Sequence, residues 1–361
     1  MMRRRISAVL LAAAAALGTL GSAGCAYAEE TPDISGTTLN IYTWDGMFPQ
    51  EVLDGFSDRF GVKIQYSNFD YDEDMLARLE TNGASEYDVV IADDYILEMV
   101  NNEGLSEELD KSKIPNYDNQ NEAFMSLFYD PDNKYDVLYG VGIPQLVYDP
   151  SLVDIEIKKF GDLWDESLAD NVAIIGNYRV IDGFVLKTLG ESFNTEDIGK
   201  IKEAGEKLVA LAPNIRAIND NNTQDLLLSG EVGAAFMYQS QATLALRTNP
   251  DLVAVYPEEG FGIGTMAQFI PKNAPNKEAA YAFINYLLEP EVSAKCFDSD
   301  EFGYYCTNTA AEEFISEENR KYVVLPDDVT WEIGEAIQTI SDEANEVHME
   351  VWAEFQAACG E

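Results

Sequence analysis

The chain has 361 residues, 46% of them hydrophobic, which is enough for two ordinary lobes with a core each. Its formal net charge of −42 repels phosphate backbones and excludes nucleic acid as a partner. The acids run along the whole chain, so they are first a solvated acidic surface and only weakly a pointer to a cationic ligand.

The N-terminal "MMRRRISAVLLAAAAALGTLGSAGCAYAEE" places Arg3, Arg4 and Arg5 before an Ala/Leu run that ends in small residues, the build of an export signal. Two processing sites compete. Ala26-Tyr27-Ala28 fits a secretory peptidase, and Ser22-Ala23-Gly24-Cys25 resembles a lipobox with Ser22 where leucine is usual. A cysteine closing a signal run favours the second, with residues 1–24 removed, Cys25 lipidated and 25–37 a tether. Residues 1–24 hold three arginines and no acid, so their loss takes the charge from −42 to −45. No later stretch is long and apolar enough to span a bilayer.

From residue 39 short β-prone runs alternate with amphipathic ones. "LNIYTW", "PQEVLDGFSDRFG", "VKIQYSN", "DEDMLARLETNG", "YDVVIADD" and "YILEMVNNEGL" form a βαβαβα series, which argues for a mostly parallel sheet with helices on its faces. A second series runs from "VLYGVGIPQLVYDP" through "NVAIIGN", "VIDGFVLKTLG", "NIRAIND" and "GAAFMYQ" to "LVAVYPEEG". A third segment, "GTMAQFIPKNAPNKEAAYAFINYLLEPEVSAKC", opens on a strand and leads into an amphipathic helix. Ligands of such sheets bind beyond the carboxyl ends of the strands. Trp44, Asp45, Asp93 and Asp94 all fall there.

Other residues point elsewhere. Cys296 and Cys306 are the cysteines closest in sequence and could pair outside the cell, although sequence leaves the connectivity open. The single histidine, His348, lies in polar, helical "SDEANEVHMEVWAEF" and is expected to be exposed; no metal site and no cofactor are expected. Asp93 has a competing role as helix N-cap, and for Asp94 that role leads. Trp164 and Trp352 are expected to pack, "FDYDEDM" to be a solvated helix start, and only one of Tyr304 and Tyr305 to face a cleft. No G-x-S-x-G elbow, P-loop or strand-linked G-x-G-x-x-G is present, so no enzyme is expected.

"LNIYTWDGMFPQEVLDGFSDRFGVKIQYS", "YDVVIADDYILEMVNNEGLSEELDKSKIPN", "FGDLWDE", "LLLSGEVGAAFMYQSQA", "FIPKNAPNKEAAYAFINYLLEPEVSAK" and "GYYCTNTAA", in this order, resemble the spermidine/putrescine-binding proteins of bacterial ABC importers. The resemblance implies a type II periplasmic-binding-protein fold, two α/β lobes around a ligand cleft with a hinge crossed more than once. It implies a first lobe of residues 38–143 and 266–313, and a second of 144–265 with the C-terminal helices of 314–361. It also implies a polyamine or related organic cation as ligand, a membrane permease and an ATPase as partners, an extracytoplasmic place and a monomer. A different small solute, such as an amino acid, a zwitterionic amine or a sugar, is the alternative; a secreted enzyme is a remote one.

A polyamine site needs aromatic faces over the alkyl chain and carboxylates at the ammonium groups. On the family pattern Trp44, Tyr95, Tyr238, Tyr304 and Gln338 fall on ligand-facing positions, and Asp45 follows Trp44. The family's acids, however, fall on Asn177, Val180 and Met266, and a wall tryptophan on Gly264. New acids stand on the first lobe instead, at Asp45, Asp93 and Asp94, with Asp93 at a family serine. The predicted ligand-binding set is therefore Trp44, Asp45, Asp93, Tyr95, Asn177, Tyr238, Tyr304 and Gln338.

Overall fold

The alternation of strand and helix seen in the sequence holds in a computed structural model, which describes residues 33–298, 302–323 and 334–360. The export signal and Cys25 lie outside the described residues. The chain builds β1 (Thr38–Thr43), α1 (Gln50–Phe60), β2 (Lys63–Asn68), α2 (Asp72–Asn82), β3 (Val89–Asp93) and α3 (Asp94–Asn102), then reaches β4 (Asp136–Gly142). Period-two alternation decides which residues meet which helices. Leu39, Ile41, Val89 and Ile91 pack on the α1 side, while Tyr42, Val90 and Ala92 pack on the α2 and α3 side.

The short Ile143–Pro144 link carries the chain into a second sheet. There β5 (Gln145–Tyr148) and β6 (Val172–Ile174) precede α4 (Tyr178–Lys187) and α5 (Ile198–Val209). β7 (Ile215–Ile218), α6 (Thr223–Leu228), β8 (Ala234–Met237), α7 (Gln239–Thr248) and β9 (Val253–Val255) complete it. The chain returns through β10 (Phe261–Phe269), adds α8 (Lys277–Leu287), α9 (Pro290–Phe297), β11 (Tyr305–Cys306) and α10 (Glu317–Tyr322), and ends in β12 (Gly334–Ala336) and α11 (Asp342–Cys359).

The first sheet has the order β11-β4-β10-β3-β1-β2, with β12 also on β10, and the second β7-β6-β8-β5-β9. Each holds three parallel strands followed by an antiparallel strand newly arrived from the other lobe, β10 in the first and β5 in the second. This is the two-lobe type II architecture, with the carboxyl ends of β1, β2, β3, β6, β7 and β8 left free to build a site.

The junction strand β10 serves both lobes. Phe261 and Ile263 pack in the second lobe's core, while Met266, Ala267 and Phe269 pack in the first. The division placed at residue 266 falls inside this strand, and the return to the first sheet begins at Gly264, opposite Gly142 of β4. From residue 34 onward the described residues form one compact unit.

Two sequence expectations are overturned here. His348 is fully buried, because α11 packs on α4 and α5 and its imidazole meets Asp182 with Nδ1 and Oδ2 2.9 Å apart. Cys296 and Cys306 are separate thiols, not a disulfide. Each has its own partners, Tyr139 for Cys296 and the Ser293 hydroxyl and Asn308 carbonyl for Cys306. Burial holds them protonated, pushed up to about 12 and about 11. Trp352 lies in the second core, as expected, and Trp164 packs on that core's edge, its indole N–H donating to the Lys207 carbonyl at 2.9 Å.

Candidate functional site

The first lobe's wall grows from three strand ends. Trp44, next after β1, is half-buried, with its ring 5.1 Å from that of Phe69 and its carbonyl accepting the Tyr66 hydroxyl. Asp45 beside it is exposed. Asp93 ends β3 in the N-cap position of α3, yet its carboxylate accepts no cap hydrogen bond, so the capping role is not filled. Asp94 is different. Its Oδ1 accepts the Tyr95 N–H at 2.9 Å, and its Oδ2 accepts the N–H and hydroxyl of Thr265 at 3.0 and 3.2 Å, which ties α3 to β10.

Acids that the sequence reading set aside complete this wall. Asp72, expected in a solvated helix start, is buried, and its Oδ1 accepts the Asp93 N–H at 3.3 Å. Glu73 accepts the Tyr95 hydroxyl at 3.2 Å. Four carboxyls thus crowd around Tyr95, and burial disfavours the charged forms of Asp72, Asp93 and Asp94. Asp72 is raised well above the usual range by burial and by the charge of Asp93. Burial and Glu73 push Asp93 to about 7, and burial with Asp93 pushes Asp94 to about 8 despite its hydrogen bonds from Thr265. Among the described residues no such group is arranged to hold a metal ion.

The strand register places one more feature. Met266 of β10 stands directly opposite Asp93 of β3 and, on its other side, opposite Gly140 of β4. Directly opposed antiparallel residues have Cβ atoms about 4.5–5.5 Å apart on one face. The Asp93 side chain therefore stands next to position 266 on one face, where Met266 itself is buried.

The second lobe contributes Asn177 and Arg179 at the head of α4 and Asp220 past the end of β7. Asn177 is the N-cap of α4, accepting the Val180 N–H at 3.2 Å, and its side chain also hydrogen-bonds Tyr238. Tyr238, next after β8, donates its hydroxyl to Asp220 Oδ1 at 3.4 Å. Tyr304 accepts from the Ser240 hydroxyl at 3.3 Å, a contact between the lobes. Its ring lies so close to Gly142 that a Cβ there would stand 2.8 Å from it. Burial raises both tyrosines, and both feel the charge of Asp93. Tyr305 instead packs near Phe124 and reaches Asn121. The ring missing at Gly264 leaves open space, with only the Gly142 carbonyl within 3.7 Å of a Cβ there.

Gln338 does not bring its side chain to the other predicted residues. It is exposed; its N–H donates to Asn194 at 2.8 Å and its carbonyl accepts Arg179 Nη2 at 3.2 Å. Arg179 and Asp220 were missed. The rule that picked out Asp93, an acid just past a strand, also marks Asp220 in "NIRAIND", whereas Arg179, inside a helix, carries no such signal.

With this geometry in hand, comparison with known proteins is decisive. The model of the bacterial extracellular solute-binding protein family matches residues 51–323. The chain belongs to this family. The spermidine/putrescine-binding periplasmic protein of Salmonella typhimurium is 31% identical over 325 residues, covering 89% of this chain and 92% of the relative. The putrescine-binding periplasmic protein of Escherichia coli is 29% identical over 308 residues, covering 79% of this chain and 81% of that one. The spermidine/putrescine ABC transporter substrate-binding protein of Streptococcus pneumoniae has a similar solved structure, with a TM-score of 0.79 at 28% identity over 90% of this chain and 99% of that one. Like the rest of its family this is an extracytoplasmic substrate-binding protein of solute transport. Among the described residues no helix is long and apolar enough to cross a membrane.

Proposed function

We propose that the chain captures an organic cation of the polyamine class in the cleft between its lobes and delivers it to a membrane permease driven by an ATPase, both supplied by other chains. What supports this reading is the pairing of Asp93 with Met266 across β3 and β10, together with the charge of Asp93 felt by Tyr95, Tyr238 and Tyr304. Trp44 and the tyrosines supply faces for an alkyl chain, and each cation–π contact is worth about 0.5–2 kcal/mol. A bound cation touching both lobes stabilises the closed arrangement, which is the form a permease reads.

The protein acts without catalysis and without a cofactor, as a monomer. A lipid on Cys25 would hold it at the membrane and raise its concentration near the permease. The test is a thermal-shift panel of putrescine, spermidine, quaternary amines, amino acids and sugars, since a ligand that binds only the folded state raises the melting temperature. An amine hit supports the reading, and a shift with sugars alone refutes it.

A second reading rests on Arg179. Its guanidinium feels the Tyr95 hydroxyl of the opposite lobe, and its Nε meets no hydrogen-bond partner among the described residues. A zwitterionic amine would use both the acids and this cation. A larger shift with an ω-amino acid than with the diamine of equal length would favour it.

A further inference from the structure

Asp220 follows β7 at the carboxyl end of the second sheet, beside β6, which leads to Asn177, and one strand further from β8, which leads to Tyr238. Its position is held from several sides. The Gln241 side chain donates to its carbonyl at 2.6 Å, the Gly176 N–H donates to its Oδ1 at 2.9 Å, and the Tyr238 hydroxyl donates to the same oxygen at 3.4 Å. Gly176 is part of the design, because a Cβ there would lie 2.9 Å from Oδ2. No hydrogen bond reaches Oδ2 among the described residues, and the residue is exposed. A carboxylate fixed by one oxygen and presenting the other is arranged to receive a cation.

Tyr238 donates to Asp220 and also feels the charge of Asp93 in the first lobe. We infer that Asp220 is the second lobe's counter-charge for the ligand, so that the cleft takes a dication whose ammonium groups pair with Asp93 on one lobe and Asp220 on the other, with the alkyl chain between them against Tyr238 and Tyr304. This rests on the organic-cation reading and adds to it a residue and a requirement for two charges. The head of α4 carries Asn177, Val180 and the cation Arg179. The one acid of α4, Asp182, is buried against His348, so the second lobe's counter-charge comes from the end of β7.

The experiment is isothermal titration of the purified full chain with 1,4-diaminobutane and with 1-aminobutane, which share an alkyl chain and differ in one ammonium group. Asp220→Asn keeps an oxygen for Gly176 and Tyr238 and removes only the charge. It should weaken the diamine about 10- to 100-fold, the size of one lost charge-assisted hydrogen bond, and leave the monoamine within about twofold. Asp93→Asn should weaken both. Equal losses for both amines in Asp220→Asn, or no loss for either, would overturn the assignment. If Asp220→Asn does not melt like the parent, Asp220→Ser is read in the same way. A wild-type chain that binds neither amine would overturn the organic-cation reading itself, which the variant is not needed to show.

Discussion

At Asp93 one residue carries both the charge and the pH response of the site. Its carboxyl, pushed to about 7 by burial and by Glu73, is largely protonated below pH 6 and must ionise to pair with an ammonium group. Amine affinity should therefore fall as pH drops from 8 to 6, and binding near pH 7 should release a proton. Titration calorimetry in two buffers of different ionisation enthalpy reads that proton directly, and Asp93→Asn should abolish both the release and the pH dependence. Asp93 was legible in the sequence because it ends a recognisable strand. Asp72 was not, since an acid two residues from other acids looks solvated; only the N–H of Asp93 and the packing of α2 under the sheet bury it. His348 was hidden for the same reason, as its polar neighbours face solvent while its own position on α11 faces α4.

At the scale of elements, the α4–α11 contact links the second lobe's wall to the C-terminal helix. α4 begins at the cleft with Asn177 and is fastened to α11 by Tyr178, whose hydroxyl donates to Asn345 at 2.9 Å, and one turn later by Asp182 with His348. Removing one member of a buried pair leaves the other uncompensated, so His348→Ala should cost about 3 kcal/mol in urea unfolding. Replacing both by leucine should cost less than that, because no polar group is then buried alone. Gly205 of α5 lets α11 approach, since a Cβ there would lie 2.5 Å from Val351, and Gly205→Ala should cost about 1–3 kcal/mol by overpacking. Cys296 on α9 and Cys306 on β11 are buried thiols, so a reductant should leave the melting temperature unchanged and a thiol reagent should react with neither until the chain unfolds. The periodicity of these helices was legible, but their docking depends on glycines and on a histidine that read in sequence as ordinary helix surface.

For the whole molecule, the acids gathered at the first lobe's strand ends make the unliganded state sensitive to pH. Asp72, Asp93 and Asp94 hold protons in the folded state that the unfolded chain releases above about pH 4. Their contribution to stability is complete below the unfolded value and is lost as pH rises through about 7 to 8, so the free protein should melt lower at pH 8.5 than at pH 6. A bound dication should narrow that difference by favouring the charged carboxyls. The two α/β lobes could be read from the alternation of strand and helix alone. The crossing order could not, because β10 joins two cores within one strand, and nothing in "FGIGTMAQF" marks where it changes lobe.

The central claim is that the ligand's carboxylate has moved across one strand pair, from position 266 to position 93. It is tested most directly by measuring spermidine and putrescine affinity in Asp93→Ser and in the double variant Asp93→Ser with Met266→Asp. The account predicts that the single variant loses amine binding by about 10-fold or more and that the double variant recovers most of it. Unchanged binding in Asp93→Ser, or a folded double variant that remains as weak as the single one, would contradict it.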